Sequence, residues 1–272
     1  MHVVSSLTRR QVTAAAVAAV PLALTGIGTA QAAQRRRTLH IAGDSTAAQK
    51  YADAAPETGW GMALPFFLRE DLVVANHAVN GRSSKSFVDE GRLDAILALI
   101  RPGDLLLVQF AHNDEKSEDP ARYTEPWTTY QDYLRRYVDG ARAHGARPVL
   151  ATPVERRRFD ADGNAVPTHG DYPAAMRALA ERERVALLDI EALSLALWQE
   201  LGVEETKVYF NWTATEQDNT HFNPPGAIAV ARLVARELLR TRVLAPRDVV
   251  RLHDDIPTSW ITWPEATAAP VA

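Results

Sequence analysis

Residues 38–46 read T-L-H-I-A-G-D-S-T, an apolar run from Thr38 to Ala42 that breaks at once into the polar cluster Gly43-Asp44-Ser45-Thr46. The same pattern recurs downstream. Leu72 to Val79 is followed by Asn80-Gly81-Arg82-Ser83-Ser84, and Asp104 to Phe110 by Ala111-His112-Asn113-Asp114. With Pro148 to Thr152 and Val185 to Ile190 these make five short runs, most of them rich in Val, Leu or Ile, which read as strands. Segments of helical period lie between and after them, at Gly61 to Glu70, Leu93 to Ile100, Trp127 to His144, Pro173 to Arg184 and Ile190 to Leu201. A last helix starts after Asn223, a residue type that caps helices, tolerates Pro224 and Pro225 in its first turn and runs to about Arg240.

Strands alternating with helices in this way call for a parallel sheet, because parallel neighbours need a crossover connection. Apolar runs without strict alternation suit strands covered on both faces. The expected fold class is therefore α/β: a three-layer α/β/α sandwich with a five-stranded parallel sheet. It is read as one domain over residues 33–272, with an irregular tail from Pro246. Glu155 to Tyr172, with Asp162-Gly163-Asn164 inside it, reads as a long loop or small hairpin.

Charge and composition exclude several functions. The 272 residues include 30 Lys+Arg and 34 Asp+Glu, a formal charge of −4, and no cysteine. Without a basic excess, no nucleic-acid partner is expected. Without cysteine there is no disulfide, no thiolate zinc site and no Cys nucleophile. Residues 1–32 read as an export signal: Arg9-Arg10, an Ala-rich apolar run from Val12 to Leu24, and Ala30-Gln31-Ala32 as cleavage site. The run falls short of the ~20 residues that span a bilayer, so no membrane association is expected once it is removed. Thr8 before the arginine pair and Val12 after Gln11 make it similar to a twin-arginine signal, the alternative being an ordinary secretory signal. Both predict a secreted or extracytoplasmic protein.

Ligand sites in a parallel sheet gather beyond the carboxyl ends of the strands. Three of the polar clusters sit there, and a fourth, Asp218-Asn219-Thr220-His221, precedes the last helix. Each cluster alone has a plain reading as a turn or a helix cap. Together they contain the parts of an acyl-transfer site. A serine hydroxyl needs an imidazole to take its proton, and the imidazole needs a carboxylate on its other nitrogen. Ser45, His221 and Asp218 can fill these roles, the last two from a single turn. The tetrahedral oxyanion needs donors, which Gly81, the Asn113 amide and the Ser45 N–H can provide. For an anionic substrate Arg82 and the Arg156-Arg157-Arg158 run are candidate carboxylate binders, with solvated surface charge as the alternative. His112 is read either as a donor to substrate or as a residue orienting its loop. Trp212, Trp260 and Trp263 are read as sugar platforms or as core and lid packing.

At these residues the chain resembles the SGNH or GDSL hydrolase superfamily, with Ser45 in G-D-S, Gly81 in the second block, Asn113 in the third and Asp218 with His221 in D-x-x-H. More narrowly it resembles rhamnogalacturonan acetylesterases. The supporting blocks are G-D-S-T at 43–46, N-G-R-S-S at 80–84, Q-F-A-H-N-D at 109–114, T-P-V-E-R-R-R-F at 152–159, H-G-D-Y-P at 169–173 and D-N-T-H-F-N at 218–223. The resemblance implies a flavodoxin-like SGNH fold and a carbohydrate esterase that removes acetyl groups from a pectic backbone. The expected partner is an acetylated polysaccharide or oligosaccharide, with no cofactor and no metal, and a monomer is expected. One departure stands out: the family has glycine where this chain has Ala111. If that position requires φ > 0, alanine strains the loop and misaims Asn113; if not, the change is harmless. The competing readings are a GDSL-type lipase or esterase of broad specificity, an acetyl xylan esterase, a metal-dependent phosphoesterase using His112, Asn113, Asp114, His221 and Asp44, and a non-catalytic carbohydrate-binding module.

Overall fold

In the computed structural model, which describes residues 36–266, the strand that carries the opening motif lies inside the sheet. β1 (Arg37–Gly43) pairs in parallel with β2 (Leu72–Asn76) on one side and β3 (Leu105–Gln109) on the other. β4 (Arg147–Ala151) and β5 (Ala186–Leu188) extend the sheet, giving the order β2-β1-β3-β4-β5. The export-signal reading falls on residues 1–32, outside the described residues.

Alternate residues of the inner strands feed two separate cores, which is why these runs show no polar alternation. Leu39, Ile41, Leu105, Leu107, Val149 and Ala151 enter one core, while Ala42, Leu106, Val108 and Leu150 enter the other. The first is covered by α1 (Trp60–Ala63), α6 (Ile190–Glu205) and α7 (Pro224–Arg240), through Trp60, Trp198, Val230 and Val234. The second is covered by α2 (Ser84–Asp89), α3 (Arg92–Leu97), α4 (Gln131–Ala143) and α5 (Tyr172–Glu183), through Phe87, Ile96, Tyr137 and Met176. This is the three-layer α/β/α arrangement. Each fully buried leucine of β3 contributes roughly 1.5–3 kcal/mol of transfer free energy.

Several elements differ from the sequence reading for identifiable reasons. The helix expected over Gly61–Glu70 is only α1 followed by a 3-10 turn, Leu64–Phe67, which contains Pro65 and its missing N–H. β2 stops at Asn76 rather than Val79, because the Asn76 side chain leaves the ladder pattern: its Nδ2 donates to Ala47 O (2.8 Å) and its Oδ1 accepts from Ala78 N (3.1 Å). α2 was legible only as a turn cluster; Ser83 and Ser86 cap it reciprocally. Asn223 occupies the cap position of α7 but makes no capping bond with its side chain. Within the 155–172 loop an isolated bridge joins Phe159 to Ala165, as in a small hairpin. An antiparallel hairpin, β6 (Phe210–Trp212) and β7 (Gln217–Phe222), has no counterpart in the sequence reading.

The strand order changes direction at β1, whose two neighbours β2 and β3 both follow it in the chain. The loops leaving these three strands therefore lie side by side at the carboxyl edge, the crevice where doubly wound folds bind ligands. Those loops begin within a few residues of Ser45, Gly81 and Asn113. Among the described residues, no helix is long and apolar enough to cross a membrane.

Candidate active site

Ser45 sits two residues beyond the end of β1, in a loop fixed from several sides. Asp44 Oδ1 accepts from Thr46 N (2.9 Å) and Thr46 Oγ1 (2.7 Å), and Ala47 N and Ala48 N both donate to Asp44 O. Trp60 N donates to Thr46 O (2.8 Å). Gly59 approaches so closely that a Cβ there would lie 2.0 Å from Ala48 O, so no larger residue fits behind the loop. Ser45 itself is 8% exposed.

His221, the expected proton acceptor, arrives from the β6–β7 hairpin. Between the pairs Trp212–Gln217 and Phe210–Phe222 one strand advances two residues and the other five, so residues 218–221 bulge out of the ladder. The bulge folds around a single carboxylate. Asp218 Oδ1 accepts from Thr220 N (2.6 Å) and His221 N (3.0 Å), while Oδ2 lies 2.6 Å from His221 Nδ1. His221 Nε2 lies 2.8 Å from Ser45 Oγ. The pair thus does sit in one local turn, but the turn is built into a strand. With Nδ1–H directed at the carboxylate, Nε2 is the acceptor facing the serine hydroxyl. Burial disfavours the imidazolium, yet the hydrogen bond and charge of Asp218, with Glu57 beyond it, outweigh burial and raise the His221 pKa above 6.5. Burial likewise works against the Asp218 charge, and its bonds to His221 and Thr220 reverse that and hold its pKa below the usual carboxylate range.

Gly81 adopts φ +75°, a left-handed conformation that glycine adopts without strain. Among the described residues, neither Ser45 N nor Gly81 N donates to another protein atom. Asn113 is brought beside the Gly81 turn: its Nδ2 donates one hydrogen to Arg82 O (3.1 Å), leaving the second for another acceptor. Asp114, the next residue, accepts from Ser84 N (3.0 Å), Ser84 Oγ (2.5 Å) and Thr124 Oγ1 (3.0 Å), binding the loop after β3 to the start of α2. That tether fixes Gly81 and Asn113 relative to each other.

Ala111 resolves the question its sequence raised. Among the described residues, positive φ at non-glycine positions occurs at Arg184, Arg242 and Arg251 and not at Ala111, which is fully buried in the second core. The alanine is unstrained. Ala111→Gly is therefore expected to leave kcat unchanged and to lower stability by about 0.4–1 kcal/mol through added freedom of the unfolded chain. Denaturant unfolding beside an ester assay checks this, and a rise in kcat would show strain at this position.

The expected substrate contacts fare differently. His112 is 4% exposed and turned inward, with Nδ1 3.1 Å from Asp44 Oδ2, so it orients the nucleophile loop rather than offering a donor to substrate. Burial, opposed by Asp44, lowers its pKa and keeps it neutral. Arg82 is tied to Glu90 (Nε–Oε2 3.0 Å) and to Asn80 O (3.0 Å), so its guanidinium clamps its own loop. Arg156 pairs with Glu115. Arg157 donates to Asn219 Oδ1 (3.1 Å) and lies 4.5 Å from the centre of the Trp212 ring, bracing the bulge that bears His221. Trp263 donates to Glu57 O (2.8 Å), and Trp260 packs edge-on against Phe66.

Arg122 was not legible as a site residue. Its Nη1 is 3.5 Å from Asn113 Oδ1 and would be 3.9 Å from a Cβ on Gly81, while Nε is held by Asp119 (2.5 Å). It comes from the irregular segment between β3 and α4, where nothing in the local pattern marks an arginine as facing the site. The side chains weighed as metal ligands are engaged separately: Asp44 with Thr46 and His112, Asp114 with Ser84 and Thr124, and His221 with Ser45 and Asp218.

A serine hydroxyl bonded to a carboxylate-paired imidazole is an arrangement suited to ester hydrolysis, and comparison with known proteins points the same way. Residues 41–227 match the model of the GDSL-like lipase/acylhydrolase family. The probable rhamnogalacturonan acetylesterase YesY of Bacillus subtilis is 46% identical over 198 residues, covering 73% of this chain and 90% of its own. The rhamnogalacturonan acetylesterase RhgT of the same organism is 44% identical over 204 residues, covering 72% and 86%. Among solved structures, that of B. subtilis YxiM superposes with a TM-score of 0.68 at 32% identity, over 76% of this chain and 57% of that longer one. An acetylxylan esterase of Geobacillus stearothermophilus, Axe2, shares the fold at a TM-score of 0.54 and 16% identity, over 77% and 95%. The protein is an ester hydrolase and belongs to the GDSL-like lipase/acylhydrolase family.

Proposed function

We propose that the protein removes O-acetyl groups from a rhamnogalacturonan-type pectic polysaccharide through an acyl-enzyme formed on Ser45. The observation that carries the chemistry is the unbroken relay from Ser45 Oγ through His221 to Asp218, at 2.8 and 2.6 Å. Ser45 Oγ attacks the acetyl carbon as His221 Nε2 takes its proton, and Asp218 stabilises the resulting imidazolium. Negative charge developing on the carbonyl oxygen is met by Ser45 N–H, Gly81 N–H and the free hydrogen of Asn113 Nδ2. Collapse breaks the ester C–O bond, and His221 returns its proton to the departing sugar oxygen. A water molecule, deprotonated by the same nitrogen, then attacks the acetyl-serine carbon; collapse breaks the bond to Ser45 Oγ, which takes the proton back from His221 as acetate leaves. The substrate reading is supported by the names of the two relatives at 44–46% identity and by Arg122, whose guanidinium borders the oxyanion donors where a uronate carboxylate can be met. Export from the cytoplasm belongs to the same proposal and is supported by the signal-like pattern of residues 1–32.

Acetate release measured in parallel from acetylated rhamnogalacturonan, acetylated xylan and chitin oligosaccharides, beside an octanoyl ester, tests the substrate. The highest kcat/KM is expected on the acetylated pectic chain. A preference for acetylated xylan would move the protein to the acetyl xylan esterases, and one for octanoyl ester to the lipases.

The oxyanion assignment has its own test. Asn113→Ala removes a donor whose interaction matures only as the oxyanion forms, and such donors are typically worth about 10²–10³ in kcat. Both kcat and kcat/KM should fall together with KM little changed. An effect on KM alone would make Asn113 a substrate-binding residue and leave the two backbone donors as the whole oxyanion hole.

A further inference from the structure

Lys50 is a buried cation with no task in the chemistry above. Its side chain is 1% exposed, and its Nζ donates to Asn80 Oδ1 (2.7 Å) and pairs with Glu57 Oε1 (2.5 Å). A charged amine withdrawn from water is tolerated only when paired and hydrogen-bonded, so both contacts are conditions of its being there. The partners lie on different parts of the site. Lys50 belongs to the nucleophile loop, five residues after Ser45. Asn80 directly precedes Gly81, and its carbonyl is held from the other side by Arg82 Nη1 (3.0 Å). Glu57 precedes Thr58, which forms an isolated antiparallel bridge with Phe222 and donates its N–H to Phe222 O (2.8 Å), beside His221. From behind, Trp263 Nε1 donates to Glu57 O (2.8 Å).

We propose that Lys50 is a positioning residue for the esterase reaction: its ammonium, clamped between Glu57 and Asn80, holds the nucleophile loop, the Gly81 turn and the segment flanking His221 in one mutual arrangement. The inference rests on the reading of Ser45, His221 and Asp218 as the reacting relay. Its physical reason is that the Asn80-Gly81 turn aims an oxyanion donor, and an error of about 1 Å in such an element costs on the order of 10²-fold in rate. The Lys50–Asn80 bond references that turn to the loop that carries the nucleophile.

The same ammonium balances a charge. The ionisable groups acting on His221 are Asp218 from β7 and, from the segment packed against β7, Glu57 and Lys50. Asp218 and Glu57 favour the imidazolium, and Lys50 opposes it. Without Lys50 the Glu57 carboxylate acts unopposed, and His221 holds its proton to higher pH. Without the Glu57 charge the reverse follows.

Lys50→Met, Glu57→Gln and the double variant, assayed with 4-nitrophenyl acetate across pH, test this. Lys50→Met is expected to lower kcat roughly 10²-fold with KM little changed, and to move the acid limb of kcat/KM to higher pH. Glu57→Gln keeps the Asn80 contact, so its kcat loss is expected to be smaller, and its acid limb moves down. In the double variant the limb returns toward its original position while kcat stays low. If Lys50→Met does not fold, Asn80→Ala removes one arm alone and is expected to lower kcat without moving the limb. Limb shifts of the same sign in Lys50→Met and Glu57→Gln, or an undiminished kcat in Lys50→Met or Asn80→Ala, would overturn the proposal. A fully active Ser45→Ala variant would instead overturn the relay on which it rests, so the two failures are distinguishable.

Discussion

Replacing Ser45 with alanine is expected to reduce kcat roughly 10⁵–10⁶-fold, the scale seen when the nucleophile of a serine triad is removed. The loss should be chemical and not structural. The Ser45 hydroxyl bonds to His221 Nε2, while its loop is held by neighbours that the substitution leaves in place: Asp44 with Thr46, Trp60 N with Thr46 O, and His112 with Asp44. The variant loses one partly exposed hydrogen bond, about 1 kcal/mol at most, so its melting transition should stay close to that of the parent. The residual rate should still exceed the uncatalysed reaction, because Asn113 and the backbone donors remain. Steady-state kinetics on a soluble acetyl ester, beside a thermal melt, separates the two effects. Near-parental activity in a folded variant would remove Ser45 from the mechanism.

The sequence made the sheet legible because the inner residues of β3 and β4 are apolar on both faces, as suits a strand sandwiched between helices. It made the positions of Ser45, Gly81 and Asn113, the residues proposed as nucleophile and oxyanion donors, legible for a related reason. A doubly wound fold sends its site residues to strand ends, so Gly43-Asp44-Ser45 and Ala111-His112-Asn113 could be placed before any coordinates. The proposed base, His221, was singled out by residue type, but its setting was not legible. The β6–β7 hairpin has no Asn-Gly or Asp-Gly turn, and residues 218–221 are polar and bulged, so no alternation marks them as a strand. The charged contacts were the least legible. Arg82, Arg156 and Arg157 were picked for their charge, yet Arg82 is engaged within its own loop and by Glu90, and Arg156 and Arg157 by a carboxylate, an amide and a carbonyl of other segments. Arg122 and Lys50 were passed over, although the fold brings them to the site across 9 and 30 residues of chain. Pairing between distant segments has no period to read.

Asp218→Asn is expected to lower kcat by about 10⁴-fold while leaving the protein folded. The asparagine oxygen can still accept from Thr220 N and His221 N, the two bonds that close the bulge, so the turn survives. The other side of the group changes meaning. Where the carboxylate oxygen accepts from His221 Nδ1–H at 2.6 Å, the amide presents a donor. Imidazole answers by moving its proton to Nε2, and the nitrogen 2.8 Å from Ser45 Oγ then has no lone pair to offer. The pH dependence should move with a definite sign. Asp218 is a principal reason why the His221 pKa lies above 6.5, and burial acts in the opposite direction. With the carboxylate gone, burial prevails and the acid limb of the residual activity should fall to lower pH, while raising the pH should not restore the rate. Asp218→Ala, which loses the bulge bonds as well, should be at least as inactive and also less stable. A profile in which Asp218→Asn recovered most of its activity at high pH would show that only the basicity of His221 was lost, and that its tautomer was not set by Asp218.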